Sequence, residues 1–302
     1  MISIKETDKV ILSKELSWMI GFWLGDNYSS REGTKFMKNG KKTSGRFGVI
    51  SNDKEVILRF LSGMRDGLKI GRIKIDVQIP RDFSINEQNI KDRVAKEIGI
   101  PSDNVIVYKG SPWRRKIGYA VYTNDTNLQR YIYQEIYLKM FELIEMGKID
   151  VSALLQGICD AEGYVDKANK VIRITSKDLY LIKIIEKCIE MLHLKYKKRI
   201  EKDKIRILIT SITDFKEKVG FFIKRKQKDL EEMIAGNFLR DKDTSYLEKF
   251  KILLLKGTTA KEISKKLGIA HSTVKLVLRN LTSAGLVKRK RDKNNRCYFY
   301  YL

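Results

Sequence analysis

The chain has 302 residues, and its 61 lysines and arginines against 37 aspartates and glutamates leave a formal charge of +24 at neutral pH. That length accommodates two or three units with cores of their own, and the charge exceeds what solubility asks, so a polyanion, nucleic acid first, is the economical partner. No apolar run reaches the ~20 residues of a membrane span and MISIKETDKV lacks a signal-peptide pattern. Cys159, Cys188 and Cys297 form no CxxC pair, and His193 and His271 are the only histidines, which argues against a disulfide framework or a zinc knot. A soluble protein of a reducing compartment, cytoplasmic and nucleoid-associated, is expected.

The first expected element is a helix over 16–28, LSWMIGFWLGDNY, and it has a counterpart at 152–164, SALLQGICDAEGY. The offset of 136 sets Gly21 against Gly157, Gly25 against Ala161 and Asp26 against Glu162. Next comes Ile50-Ser51-Asn52-Asp53 leading into an apolar-periodic helix, matched at an offset of 125 by Thr175-Ser176-Lys177-Asp178. Thr123–Leu128 matches Thr210–Phe215 at an offset of 87, so the first copy carries an insertion of 38 residues at about 75–115, where Pro80, Pro101 and Pro112 lie. In the second copy, strands are expected at Gly163–Asp166, Lys170–Ser176, Tyr196–Ile200 and Ile205–Thr210, with helices over Lys177–Leu194 and from near Thr213. Each copy therefore reads as αββαββα, and the fold class expected is α+β with two pseudo-symmetric repeats, at 1–146 and 147–240. The remaining 241–302 reads as helix to about Lys256, a helix from Thr259 with a capping box to Glu262, a helix over His271–Ser283 and a hairpin around Asp292–Asn295. From 243 onward it holds 14 basic and 4 acidic residues.

Glycine inside a helix costs roughly 1 kcal/mol relative to alanine, so Gly21 and Gly25, mirrored by Gly157 and Ala161, need a reason. Small residues four apart form a strip on which two helices can approach closely. The two motif helices would then lie side by side with Asp26 and Glu162 at adjoining ends. An acid at a helix C-terminus sits at the negative end of the dipole and calls for a cation. Two carboxylates with nearby carbonyls make a hard-oxygen site suited to Mg²⁺, an ion able to assist phosphodiester hydrolysis. A single acid in this place would read as a salt-bridging surface residue; the duplicated setting argues for the metal. Trp18, Phe22 and Trp23, on the same helix, read as core.

MIGFWLGDN (19–27) and LQGICDAEG (155–163) resemble the two motifs of single-chain LAGLIDADG homing endonucleases, and the αββαββα order is similar to that family's over residues 12–236. Leu24 stands where the first motif usually has an acid, and Asn27 replaces its closing glycine. The resemblance implies saddle-shaped antiparallel sheets gripping double-stranded DNA, and catalytic metal at Asp26 and Glu162 with the Gly25 and Ala161 carbonyls as further ligands. It also implies a basic residue near each scissile phosphate. Lys202, Lys204 and Arg206 on one strand, and Arg115 and Lys116 on another, are the candidates, and the sequence does not choose among them. DNA contacts are expected from Arg31, Lys35, Lys38, Lys41, Lys42 and Arg46 in the first copy and Lys167, Lys170 and Arg173 in the second.

The tail, TAKEISKKLGIAHSTVKLVLRNLTSAGLVKR, resembles a winged helix-turn-helix, whose recognition helix would offer His271, Ser272, Thr273, Lys275 and Arg279 to the major groove. Lys288, Arg289, Lys290, Arg291 and Arg296 would reach phosphates from the wing. With Met1 first and Tyr300-Tyr301-Leu302 last, the residues of protein splicing are missing, so a free-standing or intron-encoded, monomeric, Mg²⁺-dependent DNA endonuclease is expected. The rivals are a transcription regulator of the same build that has lost cleavage, and an RNA maturase, for which A-form RNA offers no readable major groove.

Overall fold

A computed structural model describes residues 11–26, 46–81, 86–110, 115–235, 241–291 and 297–302. The first repeat comprises α1 (Lys14–Gly25), β1 (Phe47–Ser51), α2 (Lys54–Ser62), β2 (Lys74–Ile79), α3 (Glu87–Ile98), β3 (Val105–Lys109), β4 (Gly118–Thr123), α4 (Thr126–Tyr131) and α5 (Met140–Glu145). The second comprises α6 (Val151–Glu162), β5 (Gly163–Asp166), β6 (Val171–Ser176), α7 (Leu179–Met191), β7 (Tyr196–Glu201), β8 (Lys204–Ile209) and α8 (Ile212–Lys218). Then follow α9 (Lys224–Ala235), α10 (Asp241–Leu255), β9 (Thr258–Thr259), α11 (Ala260–Leu267), α12 (His271–Ser283), β10 (Lys288–Arg291) and β11 (Tyr298–Tyr301). The fold is α+β, as expected.

The repeat signals have local causes. Ser51 Oγ accepts from the Asp53 amide and Ser176 Oγ from the Asp178 amide, both at 3.1 Å, so the matched Ser-X-Asp stretches make the same turn from strand into helix. Asp178 goes on to cap α7 through the Tyr180 and Leu181 amides, whereas the Asp53 side chain makes no such cap. Ser13 and Asp150 cap α1 and α6.

The second repeat's sheet has the order β5-β6-β8-β7, antiparallel throughout. The first repeat's sheet, β1-β4-β2-β3, is built alike around β1, β4 and β2 but gains β3, which runs parallel to β2. Where β7 and β8 are joined by Lys202 and Asp203 alone, β2 and β4 are separated by residues 80–117. That insertion is a β-α-β crossover whose α3 ends on Gly99 in the left-handed region, φ 71°, and it leaves an added strand at the sheet edge. The purely antiparallel expectation therefore holds for the second sheet, and the insertion adds one parallel pair to the first.

Two compact units emerge: the described residues up to Asp166 with Val171–Gln227, and Lys167–Lys170 with Lys228–Leu302. They part inside α9, after Gln227, and not at the composition break expected at 240. The core of the first unit is dominated by α1 and α6: Trp18, Met19, Ile20, Phe22, Trp23 and Leu24 are buried, as are Leu154, Leu155 and Ile158. In the second unit, Phe250, Leu254, Ile263, Val274, Leu278 and Tyr300 close a small core beneath α12. No helix among the described residues is long and apolar enough to cross a membrane.

Candidate active site

The site begins with the contact between α1 and α6. A Cβ on Gly21 would lie 2.1 Å from the Leu154 carbonyl oxygen, and one on Gly157 would lie 2.1 Å from the Trp18 carbonyl oxygen. Trp18 and Leu154 are themselves partners at the 136-residue offset, so the contact is reciprocal, as in a two-fold interface. One turn on, a Cβ on Gly25 would fall 2.4 Å from the Ala161 Cβ and 3.1 Å from the Glu162 Cγ. The small-residue strip is therefore what lets the helices close, and it brings their C-terminal ends together.

Asp26 caps α1, its amide bonded to the Phe22 carbonyl at 2.9 Å, and Glu162 is the last residue of α6. Burial and then the Glu162 charge push the Asp26 carboxyl from 3.8 up to about 6, against a smaller pull downward from Lys226. Asp26 lines a cavity of 330 Å³ together with Asn52, Asp53, Lys116, Arg225 and Lys226. Of the proposed basic candidates, Lys116 is the one placed in this cavity. Lys202 sits in the β7–β8 turn with φ 52°, and Lys204 opens β8 opposite Glu201; neither lines the cavity. Arg206 is ion-paired to Glu201 at 2.7 Å.

Residues that the sequence reading passed over hold the site's floor. Asp160, 2% exposed, accepts from Trp18 Nε1 at 2.8 Å and from the Phe222 and Ile223 amides at 3.1 Å. Burial raises its carboxyl even so, and these bonds pull it back. It thereby ties the start of α9 to the end of α6. Lys226, one turn along α9, donates to the Cys159 and Asp160 carbonyls at 3.1 and 2.6 Å. Those carbonyls precede that of Ala161 on the negative end of the helix. Burial lowers the Lys226 ammonium, with Asp160 opposing. Arg225 approaches Asp53 at 3.6 Å, which gives a use for the aspartate that does not cap its helix. Asp160 carried one available signal: an acid set between Cys159 and Ala161 inside the motif helix.

Whether these residues fit a divalent cation follows from their donors. Among the described residues no three or more His, Cys, Asp or Glu side chains cluster as a ligand set. A cation would rest on Asp26 and Glu162, with the Gly25 and Ala161 carbonyls alongside, and complete its shell with water or phosphate oxygens. That suits a hard ion that keeps part of its hydration. Burial raises Asp26 and the Glu162 charge adds to the rise; the charges of the two acids would supply the attraction.

The sheets differ in charge. Directly opposed residues of antiparallel strands share a face, so Tyr164, Arg173, Leu208 and Lys197 form one row, and Thr175, Arg206 and Arg199 the next. Lys197 and Arg199, exposed on β7, extend the expected basic surface. Arg173 lies over the Tyr164 ring at 4.7 Å and 3.6 Å from Asp166. In the first sheet Arg46 lies over the Tyr122 ring at 4.5 Å and 3.8 Å from Asp76. Lys167 is not open for a phosphate: its ammonium is held by Asp229 at 2.5 Å and Glu232 at 2.7 Å. Lys170 and Arg279 line a 430 Å³ cavity of the second unit. Arg31, Lys35, Lys38, Lys41, Lys42 and Arg296 lie outside the described residues.

In the C-terminal unit the capping box at Thr259 and Glu262 forms as expected, and Gly268 ends α11 with φ 63°. His271, Ser272, Lys275 and Arg279 are exposed along α12, with Thr273 half-buried. Val274, Val277, Leu278 and Leu281 face the core from the same helix. Lys288–Arg291 are all exposed on β10. The two-residue β9, which the sequence did not suggest, pairs with β11 on the side away from β10, and the turn expected around Asp292–Asn295 lies outside the described residues.

Residues 150–220 match the family model of the LAGLIDADG-like domain, and residues 248–301 match that of the sugar-specific transcriptional regulator TrmB. No curated protein matches the chain. Among solved structures, I-DmoI in complex with DNA and Mn is 16% identical, covering 69% of this chain and 97% of its own, with a TM-score of 0.45. Full-length DUF199/WhiA from Thermatoga maritima is 12% identical, covering 92% of this chain and 94% of its own, with a TM-score of 0.37. The second repeat is thus LAGLIDADG-like, and the C-terminal segment is similar to the helix-turn-helix of a transcriptional regulator.

Proposed function

We propose that the protein is a site-specific endonuclease of double-stranded DNA, acting as a monomer in the cytoplasm with Mg²⁺ as its divalent ion. The observation that carries this reading is the meeting of Asp26 and Glu162 at the abutting ends of α1 and α6, with Asp26 raised to about 6 partly by its neighbour's charge. A protein that only bound DNA would gain nothing from two acids placed together toward a phosphate backbone. A bound divalent ion supplies an activated water and charge stabilisation for the leaving oxygen. The chain's own residues divide the remaining work. Asp26 and Glu162 hold the ion as carboxylates, Lys116 offers a positive charge to the phosphate at the cavity mouth, and Lys226 keeps the α6 carbonyls occupied so that the acids stay fixed. The basic rows of the second sheet and the exposed residues of α12 supply the duplex contacts.

A second reading, a DNA-binding regulator without cleavage, is favoured by the TrmB match over residues 248–301. The test is end-sequencing of a random duplex library incubated with Mg²⁺, for the wild type beside Asp26→Asn and Glu162→Gln. Clustered breaks from the wild type alone support the nuclease and both acids. Bound, intact DNA from all three proteins overturns it in favour of the regulator.

A further inference from the structure

The two wing strands carry unbroken runs of unlike chemistry, Lys288-Arg289-Lys290-Arg291 and Tyr298-Phe299-Tyr300-Tyr301. Their register sets Lys288 opposite Tyr301, Arg289 opposite Tyr300, Lys290 opposite Phe299 and Arg291 opposite Tyr298. Opposed residues share a face and successive residues alternate between faces. Tyr300 is buried in the unit's core, so its face is the inner one. There the Arg289 guanidinium lies 4.9 Å from the centre of the Tyr298 ring, and the arginine charge is already matched to an aromatic face. Phe299 and Tyr301 belong to the outer face, where they are 38% and 37% exposed, and they are flanked by the exposed Lys288 and Lys290.

Lysines alone suffice for a wing that touches duplex phosphates. Tyr298, 41% exposed, already carries Arg289 on its face, whereas the two outer rings beside the lysines suit a ligand with flat apolar faces of its own. Stacked duplex bases show only their edges in the grooves, whereas unpaired bases offer whole π-faces to aromatic side chains. On a strand, residues two apart are separated by about 7 Å, enough for two bases of an extended strand to rest on two rings while the cross-strand lysines meet its phosphates.

We propose that Phe299 and Tyr301, with Lys288 and Lys290, form a stacking platform for single-stranded nucleic acid on the outer face of the wing. A displaced DNA strand and an unpaired RNA segment share the chemistry it reads. The platform lies wholly within the second unit and does not depend on the cleavage reading.

The test is titration of the full chain with labelled oligothymidylate, oligouridylate and a DNA duplex of equal length at one salt concentration. Phe299→Leu with Tyr301→Leu keeps apolar bulk but removes the ring faces. It is expected to weaken single-strand binding about tenfold or more and to leave duplex affinity unchanged. Lys288→Gln with Lys290→Gln is expected to flatten the salt dependence of single-strand binding. Phe299→Trp should keep the affinity, and its added fluorescence should be quenched by single strands and not by duplex. Tighter binding of oligothymidylate names DNA as the source and tighter binding of oligouridylate names RNA. The proposal is overturned if the leucine pair binds single strands as well as the wild type, if it loses duplex affinity in parallel, or if the introduced tryptophan stays unquenched. The tryptophan readout stands even where the leucine pair fails to fold.

Discussion

Asp26 is the residue whose charge state governs the site. Its carboxyl titrates near 6 in the fold, against 3.8 for the ordinary group. The folded state therefore holds the proton more tightly than the unfolded chain, and stability is gained as pH falls from about 6 toward 4; at neutral pH the ionised group is a net cost. Asp26→Asn is expected to be more stable than the wild type at pH 7 by of order 1 kcal/mol, a discounted figure because the half-buried group is partly screened. The gain should vanish below about pH 4, and urea denaturation at the two pH values measures it. Cation binding under the proposed function would have the opposite slope. It needs the carboxylate, so cleavage and metal affinity should climb with pH through about 6, and a profile flat across that range would remove Asp26 from the metal. Lys226 pulls Asp26 downward, so Lys226→Met should move the Asp26 titration, followed by carboxyl NMR, to still higher pH. It also takes the ammonium donor from the Asp160 carbonyl and from the Cys159 carbonyl, the latter keeping the Gly163 amide, a loss of about 1–3 kcal/mol.

At the scale of elements, the α1–α6 pair organises the first unit. In an isolated helix Gly21→Ala or Gly157→Ala would stabilise by about 1 kcal/mol. Here each methyl would meet a backbone carbonyl at 2.1 Å, which a side-chain rotation cannot relieve. Each substitution should cost about 2 kcal/mol or more, read as a lower urea midpoint with an unchanged slope. These two glycines were legible in the sequence because a glycine inside an apolar helix has few other reasons to be there. The second repeat was legible for a related reason: turns such as Ser176-Lys177-Asp178 are local, and so are the strands alternating around them. The same holds for α12, whose predicted span His271–Ser283 is the one observed. The insertion was legible in place but not in form, since the parallel pairing of β3 with β2 joins segments separated by a whole helix. Lys226 was not legible at all. In KRKQKD it looks like one more solvated charge, and its burial follows from the docking of α9 on the end of α6, a contact made by residues more than sixty positions apart.

For the whole molecule, α9 belongs to the candidate active site by its first turn and to the C-terminal unit by the rest, and this decides what can be removed. The buried Asp160 carboxyl is matched by donors that include the Phe222 and Ile223 amides. A chain ending at Gly220 loses both amides and Lys226 together, leaving a buried acid short of partners, a defect that costs several kcal/mol. A chain ending at Ala235 keeps them, along with Asp229 and Glu232 for Lys167. The longer chain is expected to fold and to keep divalent-ion dependence, with weaker duplex binding and a shallower dependence of log affinity on log salt, because 16 basic residues have gone with the tail. The shorter one should melt at markedly lower temperature or fail to stay soluble. Equal thermal stability of the two would mean that α9 contributes nothing to the site floor, and an unchanged salt slope in the longer one would mean that the tail's charge never reaches the DNA.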